Sequence, residues 1–159
     1  MVPPVATLIP FYVLMRDFGL LGTPAAVILM HGMLSTTLVT WLMFGQFRAL
    51  PRVLEEAAVT DGCSRLGAFL RIALPLAAPG IVAAALLAFM LSWNDFLFAS
   101  FLTSARNRTL SVALLSAYGT RDVTWGTMGA LAHLAVLPIV VLALVLNRFF
   151  AAGMTRGVH

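Results

Sequence analysis

From residue 18 to residue 47 the chain contains no Asp, Glu, Lys or Arg, and "PAAVILMHGMLSTTLVTWLMFGQF" fills most of that run. A helix crosses a bilayer with roughly 20 mostly apolar residues, so this one stretch argues against an ordinary soluble domain. Two further runs qualify by length. Residues 72–94 form the second, which continues past Asp95 through "FLFASFL", and residues 123–147 form the third. The opening residues 2–15 are apolar but shorter, and read as the outer part of a fourth span whose beginning is missing. Composition agrees. The chain is 61% hydrophobic and 10% charged, with a mean hydropathy of +0.99, against about 45–50% apolar and about 25% charged in soluble domains. The runs are continuous rather than alternating, which argues against a barrel. Pro10, Pro79 and Pro138 fall inside apolar stretches, where membrane helices tolerate them because neighbouring helices satisfy the freed backbone. The expected fold is therefore all-α: a polytopic transmembrane helix bundle with three full spans and a partial first one.

The charged residues narrow the function. All ten basic residues are Arg. A chain without Lys has no ordinary P-loop, whose Lys reaches the nucleotide phosphates, so it is not expected to hydrolyse ATP itself. Cys63 is the only cysteine, which leaves no internal disulfide and no paired-thiol motif. The arginines are scattered between apolar runs, a pattern of membrane topology rather than of nucleic-acid binding. The opening "MVPPVATLIP" lacks the charged n-region of a secretory signal. Arg48, Arg52, Arg65 and Arg71 lie between the first two spans, and Arg148 and Arg156 lie in the tail. Arg16, Arg106, Arg108 and Arg121 fall on the other side. This bias places the 48–71 loop and the C-terminus in the cytoplasm, two crossings apart.

That loop is polar in an otherwise apolar chain. "EEAAVTDGCSRLGAFLRIALPLAAPGI" holds three acids and two arginines. Pro51 suits a first helical position, and Gly62 suits a helix stop in the left-handed conformation. Between them Glu55 and Glu56 sit early, where the helix dipole favours acids. Leu54, Ala57, Ala58 and Asp61 share one face at helical spacing, and the two alanines let another surface approach closely. Ser64 can cap a second helix, "RLGAFLRIAL". Its Leu66, Phe69, Leu70 and Ala73 form an apolar stripe, as in a helix lying on the membrane before Pro75 and Pro79 turn the chain inward. Read from the residues alone, the segment is either a docking surface or a re-entrant or surface loop that only connects two spans.

"EAAVTDG" at residues 56–62, "IALP" at 72–75 and "PGI" at 79–81 together resemble the EAA loop of binding-protein-dependent ABC importer permeases. The flanks "VPPVATLIPFYVLMRDFGLLGT" and "LSWNDFLFASFLTSARNRTLSVAL" are similar to the carbohydrate-uptake branch, in particular the maltose-type second permease subunit, so the resemblance covers essentially the whole chain. It implies a cytoplasmic coupling loop over residues 51–79, in which Leu54, Glu55, Glu56, Ala57, Ala58, Asp61 and Gly62 meet a separate ABC ATPase subunit. It further implies a second, homologous permease subunit, an extracytoplasmic solute-binding protein, a sugar substrate, no cofactor, and a place in a bacterial or archaeal plasma membrane. ATP binding would close the ATPase pair and switch the bundle from inward-facing to outward-facing. Cys63 departs from the family's usual Ala, a change between small residues. Length departs further. The resemblance implies a six-helix subunit of which this chain matches the last part, as a fragment, a truncated frame, or one piece of a split subunit.

Other polar residues carry two readings each. Trp93, Asn94 and Asp95 lie well inside an apolar stretch, and an intramembrane acid costs roughly 2.5–3.5 kcal/mol on insertion scales. A span beginning near Pro79 places Asp95 about 24 Å from the cytoplasmic end, in the outer part of the bilayer. There Asp95 and Asn94 can bond sugar hydroxyls and Trp93 can stack on a sugar ring. The alternatives are an interfacial Asp95 or a structural ion pair with Arg106 or Arg108. His31 and His133 are too isolated for a metal site, and read as buried, hydrogen-bonded residues facing other helices. Ser35, Thr36, Thr37 and Thr40 are expected to bond their own helix or a neighbour, while Trp41 and Trp125 read as packing or interfacial anchors. No Ser/His/Asp constellation is evident, so an intramembrane enzyme is the remotest reading. A non-transporting membrane subunit and a permease for another small polar solute are the nearer alternatives to a sugar permease.

Overall fold

A computed structural model of the chain describes residues 4–118 and 125–154. Eight α-helices lie in these residues: α1 (Pro4–Asp17), α2 (Pro24–Arg48), α3 (Arg52–Thr60), α4 (Arg65–Ala68), α5 (Leu74–Asn94), α6 (Leu97–Leu102), α7 (Leu110–Tyr118) and α8 (Trp125–Met154). A π-helical turn, Phe69–Ala73, joins α4 to α5. Among the described residues three helices are long and apolar enough to cross a membrane: Pro24–Arg48, Arg65–Asn94 and Trp125–Leu144. The all-α, three-span architecture expected from the apolar runs is therefore the observed one. Arg121 and Arg156, both used in the charge count, lie outside the described residues.

The chain forms two compact units, Met1–Leu34 with Met90–His159, and Ser35–Phe89. In the first, Leu8, Phe11 and Met15 recur at helical spacing on α1 and bury one face. They cluster with Ala26 and Met30 of α2 and with Phe98 and Leu102 of α6. Met30 and Leu102 are fully buried. The α1–α2 connection is tied to the segment after α6: Gly22 N donates to Leu102 O (3.0 Å), and Asn107 Nδ2 donates to Gly22 O (2.9 Å). Gly22 has φ +77°, a conformation open to Gly at little cost.

The second unit contains the polar loop. Here the structure corrects the expected turn of the chain at Pro75 and Pro79. From Arg65 to Asn94 the chain is one 30-residue helix, with no turn at Pro75 or Pro79. Leu74 N bonds Phe69 O, five residues back. This widened turn sits just before Pro75, whose ring would crowd the carbonyl of Arg71 in a regular helix. The extra residue also changes the phase. Ala68, Ala73, Ala77 and Ala84 are the buried positions, so a five-residue step carries the buried face past the π turn. The anticipated stripe assumed regular spacing throughout. Of its members Ala73 is buried and Leu66 and Leu70 are exposed, while the Phe69 ring packs on Phe47 with centroids 5.8 Å apart. At 1.5 Å per residue such a helix is about 45 Å long, against a hydrocarbon core of roughly 30 Å. It is therefore too long to lie wholly within the core.

Candidate functional site

The loop between the first two spans is locally specified. Pro51, with φ −67° and ψ 112°, stands just before α3 as its N-cap, one position earlier than expected. At the other end the helix closes through two bonds: Gly62 N donates to Val59 O (3.0 Å) and Cys63 N to Ala58 O (2.9 Å). These are the two bonds of a Schellman motif. Gly62, at φ +88°, supplies its left-handed residue. Ser64 Oγ then accepts from Gly67 N at 3.1 Å and caps α4. The predicted stop and cap thus both form.

None of the residues of α3 is buried. Leu54, Glu55, Glu56, Ala57, Asp61 and Gly62 are exposed and Ala58 is half-buried. Glu55, Glu56, Val59 and Thr60 line one side of a hollow of about 490 Å³, with Arg65 and Ala68 on the other. Among the described residues no cation lies within 4 Å of either carboxylate. Leu54, Ala57, Ala58 and Asp61 fall on a different face of the same short helix. An exposed helix with small side chains on one face and free acids on the other can receive a partner surface.

A second arrangement lies at the end of α5. The second apolar run does not continue as one helix past Asp95. It breaks there, and α6 begins at Leu97. The Asp95 carboxylate caps the new helix, with Oδ1 accepting from Phe98 N (3.3 Å) and Oδ2 from Ala99 N (3.0 Å). Oδ2 also meets His31 Nε2 at 3.0 Å, and His31 Nδ1 meets Ser92 Oγ at 2.7 Å. Ser111 Oγ donates to the Asp95 carbonyl at 2.6 Å. With a neutral imidazole, Ser92 donates to Nδ1 and the Nε2 proton points at Asp95. The partner of Asp95 is thus His31, not Arg106 or Arg108. Arg108 instead donates to Ser116 at 3.2 Å. His31 bonds across helices, as expected. His133 does not: it is exposed and meets its own helix at Gly129 O (2.7 Å).

Ser92, His31 and Asp95 do form a Ser–His–Asp chain, contrary to the expectation that no such constellation is present. Ser92 and Asp95 lie 61 and 64 positions from His31, so no local spacing signals the contact. The nearby backbone donors Phe98 N and Ala99 N are taken up by Asp95 itself. Asn94 is exposed and its Nδ2 donates back to Met90 O (2.9 Å). Trp93 Nε1 donates to Ala135 O (2.9 Å) on α8. Trp41 and Trp125 are exposed.

Several long apolar helices, interrupted by one exposed polar helix with a built stop and cap, define a polytopic membrane protein. The chain belongs to the family of binding-protein-dependent transport system inner membrane components, whose model matches residues 1–156. It is a multi-pass protein of the plasma membrane. The chain is 35% identical over 156 residues to the sulfoquinovosyl glycerol transport system permease protein SmoH of Agrobacterium fabrum, covering 98% of this chain and 55% of that one. It is 38% identical over 152 residues to the inner membrane ABC transporter permease protein YcjP of Escherichia coli, covering 94% and 54%. It is 34% identical over 160 residues to the trehalose transport system permease protein SugB of Mycobacterium tuberculosis, covering 99% and 58%. The chain thus spans about half the length of the curated relatives it matches.

Proposed function

We propose that this chain is the C-terminal portion of a permease subunit that moves a carbohydrate into the cytoplasm, driven by a separate ABC ATPase. The observation that carries this reading is α3: a helix between two spans, closed by Gly62, with no buried residue. In this account residues 51–79 are the cytoplasmic coupling loop. Leu54, Ala57, Ala58 and Asp61 present the small-faced surface to the ATPase, Glu55 and Glu56 supply negative charge, and Gly62 fixes where the helix ends. A second, homologous permease subunit completes the pathway, and an extracytoplasmic binding protein delivers the solute. Two of the similar permeases are named for sulfoquinovosyl glycerol and trehalose transport, which supports a hydroxyl-rich solute.

Trp93, Asn94 and Asp95 are the proposed pathway residues. An ionised carboxylate offers about four acceptor sites. Three are used on Asp95, two at Oδ2 and one at Oδ1, so Oδ1 retains one site for a sugar hydroxyl. Asn94 presents its amide at an exposed position, and the bond from Trp93 to Ala135 holds the indole in place.

Charge reversal tests the coupling role. Glu56→Lys in the subunit that carries this segment is expected to reduce recovery of the ATPase at least several-fold and to lower sugar uptake in parallel, with the subunit still in the membrane. Wild-type recovery and wild-type uptake would remove α3 as the docking element.

A further inference from the structure

We propose that the junction between α2 and α3 binds the headgroup of an anionic phospholipid, in the hollow lined by Phe44, Phe47, Arg48 and Arg52. The hollow measures about 580 Å³, within the usual range of small-molecule sites. Its two cations come from the last residue of a membrane span and the first residue of α3. Among the described residues neither Arg48 nor Arg52 has an acidic partner within 4 Å. Arg48 lies over the Phe44 ring, 5.7 Å from its centroid, a cation–π contact that orients the guanidinium without neutralising it. Phe44 is 65% exposed, and Phe47 is stacked on Phe69.

Two unneutralised guanidinium groups beside exposed aromatic carbon match a lipid, which presents an anionic phosphate next to its acyl chains. Arg suits this task because its planar fork bonds phosphate in a bidentate manner. The placement at a span end fits as well, since basic clusters beside a transmembrane helix attract anionic lipid. Pro51 stands directly before α3, so a lipid held by Arg48 and Arg52 would anchor the base of that helix. This site goes beyond the coupling reading and does not depend on it. The binding assay below involves no ATPase, so its failure would leave the coupling reading intact, and failure of coupling would leave the lipid site intact.

The test places the purified full chain in nanodiscs and measures its preference for phosphatidylglycerol over phosphatidylcholine. Variants are Arg48→Gln with Arg52→Gln, and, as a control of equal charge change, Arg65→Gln with Arg71→Gln. Circular dichroism checks that helix content is kept. A third variant, Arg48→Lys with Arg52→Lys, retains charge and provides a second reading if the first fails to fold. The wild type is expected to prefer phosphatidylglycerol. The 48/52 Gln pair should reduce that preference roughly 10- to 30-fold, the 65/71 pair less than threefold, and the Lys pair by an intermediate amount. Equal loss in both Gln pairs would show diffuse charge attraction and overturn the site, as would an unchanged preference in the 48/52 Gln pair. Displacement of the lipid by millimolar inorganic phosphate would overturn it in favour of a soluble anion.

Discussion

Asp95 accepts three hydrogen bonds at the point where one helix stops and the next begins. Its role is therefore geometric before it is anything else. The carboxylate caps α6 and, through His31 and Ser92, ties α2 to α5. Asp95→Asn replaces one oxygen by an amide nitrogen. The longer contact at Phe98 N is the one most readily given up, because Oδ2 serves two donors. The expected cost is about 1–3 kcal/mol, the penalty of a buried donor left unsatisfied. His31→Ala removes a different bond of the same carboxylate, the one at Oδ2, and leaves Ser92 Oγ without its acceptor, at a similar expected cost of about 1–3 kcal/mol. Because the amide oxygen of Asn is a weaker acceptor for His31 than a carboxylate, Asp95→Asn already removes part of what His31→Ala removes, and the double variant should fall short of the sum by about 0.5–3 kcal/mol. Thermal melting of the four proteins in detergent measures this, and strict additivity would contradict coupling through the Asp95–His31 bond. If uptake in Asp95→Asn falls further than stability explains, the open acceptor site on Oδ1 is in use.

At the scale of elements, the loop is held by local chemistry. A Cβ on Gly62 would meet no atom within 4 Å, so substitution there costs backbone strain and nothing else. A left-handed conformation costs a non-Gly residue roughly 1–2 kcal/mol, least for Asn and most for a β-branched side chain. Uptake by Gly62→Asn, Gly62→Ala and Gly62→Val should therefore decline in that order, with each subunit still in the membrane. A flat series would show that the left-handed stop is dispensable. The same locality explains what the sequence made legible. The Gly62 stop and the Ser64 cap each depend on residues within a few positions, and both were read from the chain alone. The π turn was not, because it answers to Pro75 and to which alanines find a buried face. The break at Asp95 and the contact with His31 were also missed. A carboxylate inside an apolar run announces that it needs partners, but not which of the distant donors will supply them. His133 shows the converse: a histidine in a span that bonds only its own helix looks the same in sequence as His31.

For the whole molecule, the proposed coupling role requires α3 to lie on the cytoplasmic side of the three spans. The arginine bias supports this orientation, since Arg48, Arg52, Arg65 and Arg71 all fall on the loop side. Cys63 makes the claim directly measurable. It is the only cysteine in the chain, it follows Gly62 at the end of α3, and it is partly exposed. A membrane-impermeant maleimide, applied to intact cells and to inside-out vesicles with and without the ATPase subunit, reads both side and docking from one thiol. A cytoplasmic α3 that docks the ATPase gives no labelling in intact cells, labelling in inside-out vesicles, and slower labelling when the ATPase is bound. Labelling of Cys63 in intact cells, or a rate in vesicles that the ATPase leaves unchanged, would contradict it.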